Sequence, residues 1–81
     1  MERIWLGEAK LKYANNWIVA VNTALEEKNK AYGDIYLITP SKSEAYAKAI
    51  ELNQIGTMGS VSVTQGTNNT PQIGGLEVWS Q

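Results

Sequence analysis

Apolar residues at Leu11, Ala14, Ile18, Val21 and Leu25 recur at steps of 3, 4, 3 and 4. That spacing lines one face of an α-helix, and Trp17 and Ala24 widen the stripe. Lys12, Asn15, Asn22, Glu26 and Lys30 fill the opposite, solvated face. The pattern predicts a helix over Leu11–Tyr32, with Gly33 placed where a left-handed residue closes one. Trp17–Val21 also reads as a strand, because it is short, apolar and β-branched. The length of the spaced pattern favours the helix.

The flanking segments are shorter. Arg3–Leu6 reads as a first strand ended by Gly7, and Asp34–Thr39 as a second, nearly continuous in apolar residues like a strand buried on both faces. Pro40 stops it. Ser41 is an expected N-cap, and Glu44 three residues later completes a capping-box pattern. The helix that follows uses Ala45, Tyr46, Ala49, Ile50 and Leu52 as its apolar face and ends between Asn53 and Gly56. Ser60–Thr64 alternates strictly and predicts a third strand. Gly66–Gly75 is turn chemistry, and Leu76–Trp79 alternates again, expected to pair back as a hairpin. The order is β-α-β-α-β-β: an α+β two-layer sandwich with two helices on one face of a four-stranded mixed sheet, the crossovers right-handed.

Composition narrows the chemistry. The 81 residues make one domain, 1–81, and 43% hydrophobic content suffices for one core. Cysteine and histidine are both absent. Disulfides and thiolate chemistry are thereby excluded, and the commonest general base and metal ligand are missing. The expectation is a protein without catalytic residues, metal or cofactor. No run has the length of a membrane span and no signal-peptide pattern opens the chain, so a cytoplasmic location is expected. Seven basic and eight acidic residues leave a net charge of −1, so any polyanion must be met by a local patch.

In this order the elements resemble the Alba family of small nucleic-acid-binding proteins. The resemblance is carried by Ile4-Trp5-Leu6-Gly7 followed by Lys10 and Lys12, by Asn16–Leu25, and by Lys42–Ile50. It implies a dimeric chromatin-type protein that contacts DNA or RNA through the first two β-α loops and the final hairpin. Where the family carries a second basic residue in the second loop this chain has Glu44, and its hairpin tip has no Lys or Arg.

In the predicted arrangement the two β-α connections leave the sheet at the same end. Lys10, Lys12 and Lys42 would gather at two helix N-termini, whose free N–H groups and dipoles suit phosphate. Ser41 and Ser43 add short donors, Asn15 and Asn16 lie nearby, and Thr67, Asn68, Asn69 and Gln72 supply an uncharged arm able to follow a groove or an RNA strand. These eleven residues are the expected nucleic-acid contacts. The set requires Trp17–Val21 to be helical and Lys10 and Lys42 to share one side of the molecule. The bland counterpart is a set of ordinary solvated lysines and a solvated loop. Surplus Trp and Tyr suggest a homodimer, or a heterodimer with a related chain. The alternative function is a non-catalytic interaction or dimerisation subunit of the same fold, favoured by Glu44, the uncharged tip and the near-neutral charge.

Overall fold

A computed structural model of the chain describes residues 1–68 as an α+β fold. Strand β1 (Arg3–Trp5) leads directly into helix α1 (Leu6–Lys12). Strand β2 (Trp17–Leu25) turns through a single 3₁₀ turn, Glu27–Asn29, into β3 (Ala31–Thr39). Helix α2 (Lys42–Ile55) and strand β4 (Ser62–Gln65) follow. The strand expected at Leu76–Trp79 lies outside the described residues, as do Asn69 and Gln72.

The sheet order is β1-β3-β2-β4, and every pair is antiparallel. Strands β1 and β2 therefore run the same way with β3 between them, and β3 and β4 run the same way with β2 between them. Two right-handed crossovers that start on strands of opposite direction fall on opposite faces of the sheet. The packing agrees. Ile18 meets Ala9 of α1 and Ile4, flanked by Tyr13 and Ile35. Val19 and Val21 meet Ala45 and Leu52 of α2, with Trp17, Leu37, Ala49, Met58, Val61 and Val63 around them.

This corrects the expected order and layering. Instead of one helix across 11–32 there is a short helix, a strand, a tight turn and a second strand, and the helices lie on both faces. The physical reason lies in Trp17–Val21. A strand with a helix against each face needs apolar residues at every position, and Ile18, Val19, Ala20 and Val21 are all fully buried. The two ends of the supposed helical stripe, Leu11 and Leu25, are 67% and 69% exposed. Asn15 interrupts the helix in a left-handed conformation (φ 65°), which asparagine tolerates better than most residues. Lys28 and Asn29 are both left-handed (φ 57° and 58°), as a tight hairpin turn requires. Gly33 closes no helix and is buried within β3.

Helix α2 forms where it was expected and runs to Ile55. The Ser41 hydroxyl accepts the Glu44 N–H at 3.1 Å. Gly56, left-handed at φ 77°, caps the far end with its N–H on the Leu52 carbonyl. The capping box closes by a detour: Thr39 Oγ1 donates to the Glu44 carboxylate and accepts the Ser41 N–H at 3.1 Å.

Candidate ligand-binding site

One end of the sheet collects segments far apart in sequence. Strand β2 begins there at Trp17, opposite Thr39 of β3 on one side and Gln65 of β4 on the other. Helix α1 ends there and α2 begins there. The chain after β4 is stitched to the chain after α1 by backbone hydrogen bonds. The Gly66 N–H reaches the Asn16 carbonyl (2.8 Å), the Asn15 N–H the Thr67 carbonyl (2.8 Å), and the Thr67 N–H the Lys10 carbonyl (3.0 Å). The Thr67 hydroxyl also donates to Lys10 O, at 3.1 Å. The approach is so close that a Cβ on Gly66 would lie 2.5 Å from the Tyr13 carbonyl oxygen, so no larger residue fits without displacement.

Between these segments lies a pocket of about 220 Å³, lined by Asn15, Asn16, Trp17, Gln65, Gly66 and Asn68. Besides Gly66, the residues that border it are four with carboxamide side chains and Trp17, and none of these described residues is charged. The Asn16 amide donates to Ala14 O at 3.0 Å, which fixes that side chain. On the α2 side, the Trp17 and Tyr46 rings sit 6.1 Å apart, tilted at 56°. Lys42 Nζ lies over both, 5.5 Å from the Trp17 centroid and 6.0 Å from that of Tyr46.

Lys10, Asn15, Asn16, Ser41, Lys42, Ser43, Thr67 and Asn68 are thus brought to the same end of the sheet, but not as a rim of helix N-termini. Helix α1 presents its C-terminus here, where Lys10 and Lys12 complement the negative end of the dipole. Lys10 belongs to the α1 face and Lys42 to the α2 face. Lys12 bonds Glu2 at 2.6 Å, and the Tyr13 hydroxyl takes the other Glu2 oxygen at 2.6 Å. These two donors hold the Glu2 carboxyl below its ordinary range; the same bond raises Lys12, and Tyr13 is raised by its bond to Glu2. Ser41 is occupied by its cap, with Ser43 Oγ 3.1 Å away. Lys10, Lys12 and Lys42 therefore form no rim of helix N-termini, because Trp17–Val21 lies in a ladder and α1 ends here.

Sequence reasoning passed over Gln65 and Gly66, and assigned Trp17 to packing alone. The only signal was a polar residue and a glycine immediately after an alternating strand. Of the acidic residues at the far end, Glu26 and Asp34 share Arg3, whose Nη2 and Nη1 lie 2.5 and 3.0 Å from them. Arg3 lowers the Asp34 carboxyl, helped by the Asn22 amide. Among the described residues no group of three or more acidic side chains is placed to hold a metal, and no helix is long and apolar enough to cross a membrane.

A second concavity, about 280 Å³, runs between α2 and the β4 segment. It is lined by Tyr46, Ala49, Ile50, Asn53, Val61 and Val63. Tyr46 and Ile50 are 44% and 58% exposed. The chain matches no family model, no curated protein and no solved structure.

Proposed function

We propose that the protein is a non-catalytic nucleic-acid-binding module that uses the end of the sheet where β2 begins. The observation that carries this reading is the meeting there of Trp17, with Lys42 over its ring, and four carboxamide residues, drawn from three separate stretches of chain. With the helix-terminus rim gone, phosphate neutralisation is a minor part of it. Lys10 and Lys42 reach at most a couple of phosphates, while aromatic and amide groups supply contacts that salt does not screen. The resemblance to Alba proteins assumes an element order that the fold does not share, so it does not carry the reading. Fluorescence anisotropy with labelled DNA and RNA oligonucleotides, single-stranded and duplex, tests the reading. Binding is expected at low salt, with log K falling against log salt at a slope of roughly −1.4 for two phosphates of a single strand and about −1.8 for two of a duplex. No binding at low salt to any of the four probes overturns it.

The groove beside β4 favours a second reading, self-association. Among the described residues β4 ends the sheet on this side, and an edge strand is normally guarded by charge, proline or a bulge. Ser62-Val63-Thr64-Gln65 carries no charge and no proline, and the apolar wall of Tyr46, Ile50 and Val63 lies beside it. A second copy meeting this edge faces no like-charge repulsion from the groove lining. Light scattering checks it: Ile50→Lys should convert a dimer to monomer, and a monomeric wild type removes the reading.

A further inference from the structure

We infer that the carboxamide pocket beside Trp17 takes a single unpaired nucleobase, so that the ligand of the proposed function is single-stranded. The inference rests on that function and adds the chemical part of the nucleic acid that the pocket recognises.

Three features lead to it. The first is size: about 220 Å³ is below the roughly 300–1,000 Å³ of a drug-sized site and has room for one flat ring. The second is the donor and acceptor set. A carboxamide offers both an acceptor oxygen and two N–H donors, and a base edge presents both kinds of group. Asn15, Asn16, Gln65 and Asn68 therefore match an uncharged, hydrogen-bonding, planar edge, and a phosphate would find no cation in the lining. The third is the neighbourhood. Trp17 borders the pocket, and Lys42 stands over its indole, 5.5 Å from the ring centroid. A base held in the pocket would carry its own phosphate away from the amides, and Lys42 is the cation on that side. A duplex hides its Watson–Crick edges and cannot offer them to a pocket, so only unpaired or extruded bases qualify.

The pocket is also held in shape. Gly66 is buried against the 13–16 backbone, and three backbone hydrogen bonds join residues 66–67 to residues 10–16. The amides of Asn16 and Gln65 are thus carried on segments tied to each other before any ligand arrives.

The test uses the full chain. A labelled oligonucleotide of eight nucleotides is titrated as single strand and as duplex, then competed with a neutral nucleoside and, separately, with free ribose. Single strand should bind at least about fivefold more tightly than duplex, since stacking one base contributes ~1–3 kcal/mol. The nucleoside should displace it and ribose should not. Gln65→Ala should weaken binding about fivefold without changing the salt slope, the effect of one lost hydrogen bond of ~1 kcal/mol. Lys42→Ala should instead flatten the salt slope. Gln65 is exposed at the last position of β4, and Asn68→Ala serves as a second variant beyond that strand.

Equal affinity for duplex, failure of the nucleoside to compete, or equal competition by ribose overturns the base pocket while leaving nucleic-acid binding in place. If no oligonucleotide binds, the proposed function fails on its own. Amide NMR shifts with nucleoside then decide the pocket: shifts confined to the side-chain amides of Asn16, Gln65 and Asn68 uphold it, and unmoved amides overturn it.

Discussion

Ser41 shows how much a single hydroxyl organises. It accepts the Glu44 N–H, and its own N–H is taken by Thr39 Oγ1, which in turn donates to the Glu44 carboxylate. Thr39 is 3% exposed, so its hydroxyl and the first turn of α2 are sealed together at the end of β3. Ser41→Ala removes the acceptor for one orphan N–H of the first turn, and its expected cost is about 1 kcal/mol. Urea denaturation reads this as a lower midpoint at unchanged slope. Ser41→Asp, which keeps an acceptor at the same place and suits the positive end of the helix, should recover most of it. The cap was legible from Ser41 and Glu44 alone because it depends on residues three apart. The contribution of Thr39 was not, because it depends on where β3 delivers its last residue.

At the level of elements, the informative contrast lies within Leu11–Leu25. Helical spacing groups Leu11, Ile18, Val21 and Leu25 as equivalents. The strand makes Val19 and Val21 core on the α2 side, Ile18 core on the α1 side, and leaves Leu11 and Leu25 outside. Substitution by alanine separates the two. Val19→Ala and Val21→Ala should each cost roughly 1–3 kcal/mol, for apolar atoms lost from a closed core. Leu11→Ala and Leu25→Ala should stay within about 0.5 kcal/mol, as at other exposed positions. Equal losses at all four sites would contradict the strand. The periodicity misled because Leu11, Ala14 and Leu25 continued by coincidence a pattern of which only Ile18 and Val21 belong to a core. Better signals were present: an asparagine pair at 15–16, and five consecutive apolar residues that suit a strand covered on both faces. The second helix was legible because Ser41 and Gly56 mark its two ends, and the strand near residue 62 because its alternation is strict. Likewise, most of the candidate site residues could be nominated singly. Their meeting place could not, because it depends on β2 and β3 being neighbours.

For the whole molecule, the shortest strand bears on how the fold responds to acid. β1 has three residues and, among the described residues, pairs only with β3, so its backbone pairs are few. Side chains add to them from both ends. Glu2 holds Lys12 and Tyr13 of the α1 segment, and Arg3 spans Glu26 of the hairpin and Asp34 of β3. Hydrogen bonds from Lys12 and Tyr13 lower Glu2, and those from Arg3 lower Asp34, relative to their ordinary values of 4.5 and 3.8. A carboxyl depressed in the folded state contributes stability that is fully present above its unfolded pKa. That contribution is lost as pH falls through its folded one. Stability should therefore be flat above about pH 5 and decline below pH 4, modestly, because Glu2 is exposed and Asp34 only partly covered, so that solvent screens both. Urea midpoints measured from pH 7 to 3 check this. A Glu2→Gln, Asp34→Asn double variant should be less stable at pH 7 and show a shallower decline on acidification. Hydrogen exchange adds the spatial part, since the amides bonded between β1 and β3 should lose protection at a higher pH than those between β2 and β3. If both sets lose protection together, β1 is not held by these carboxylates but by the burial of Ile4 beneath α1.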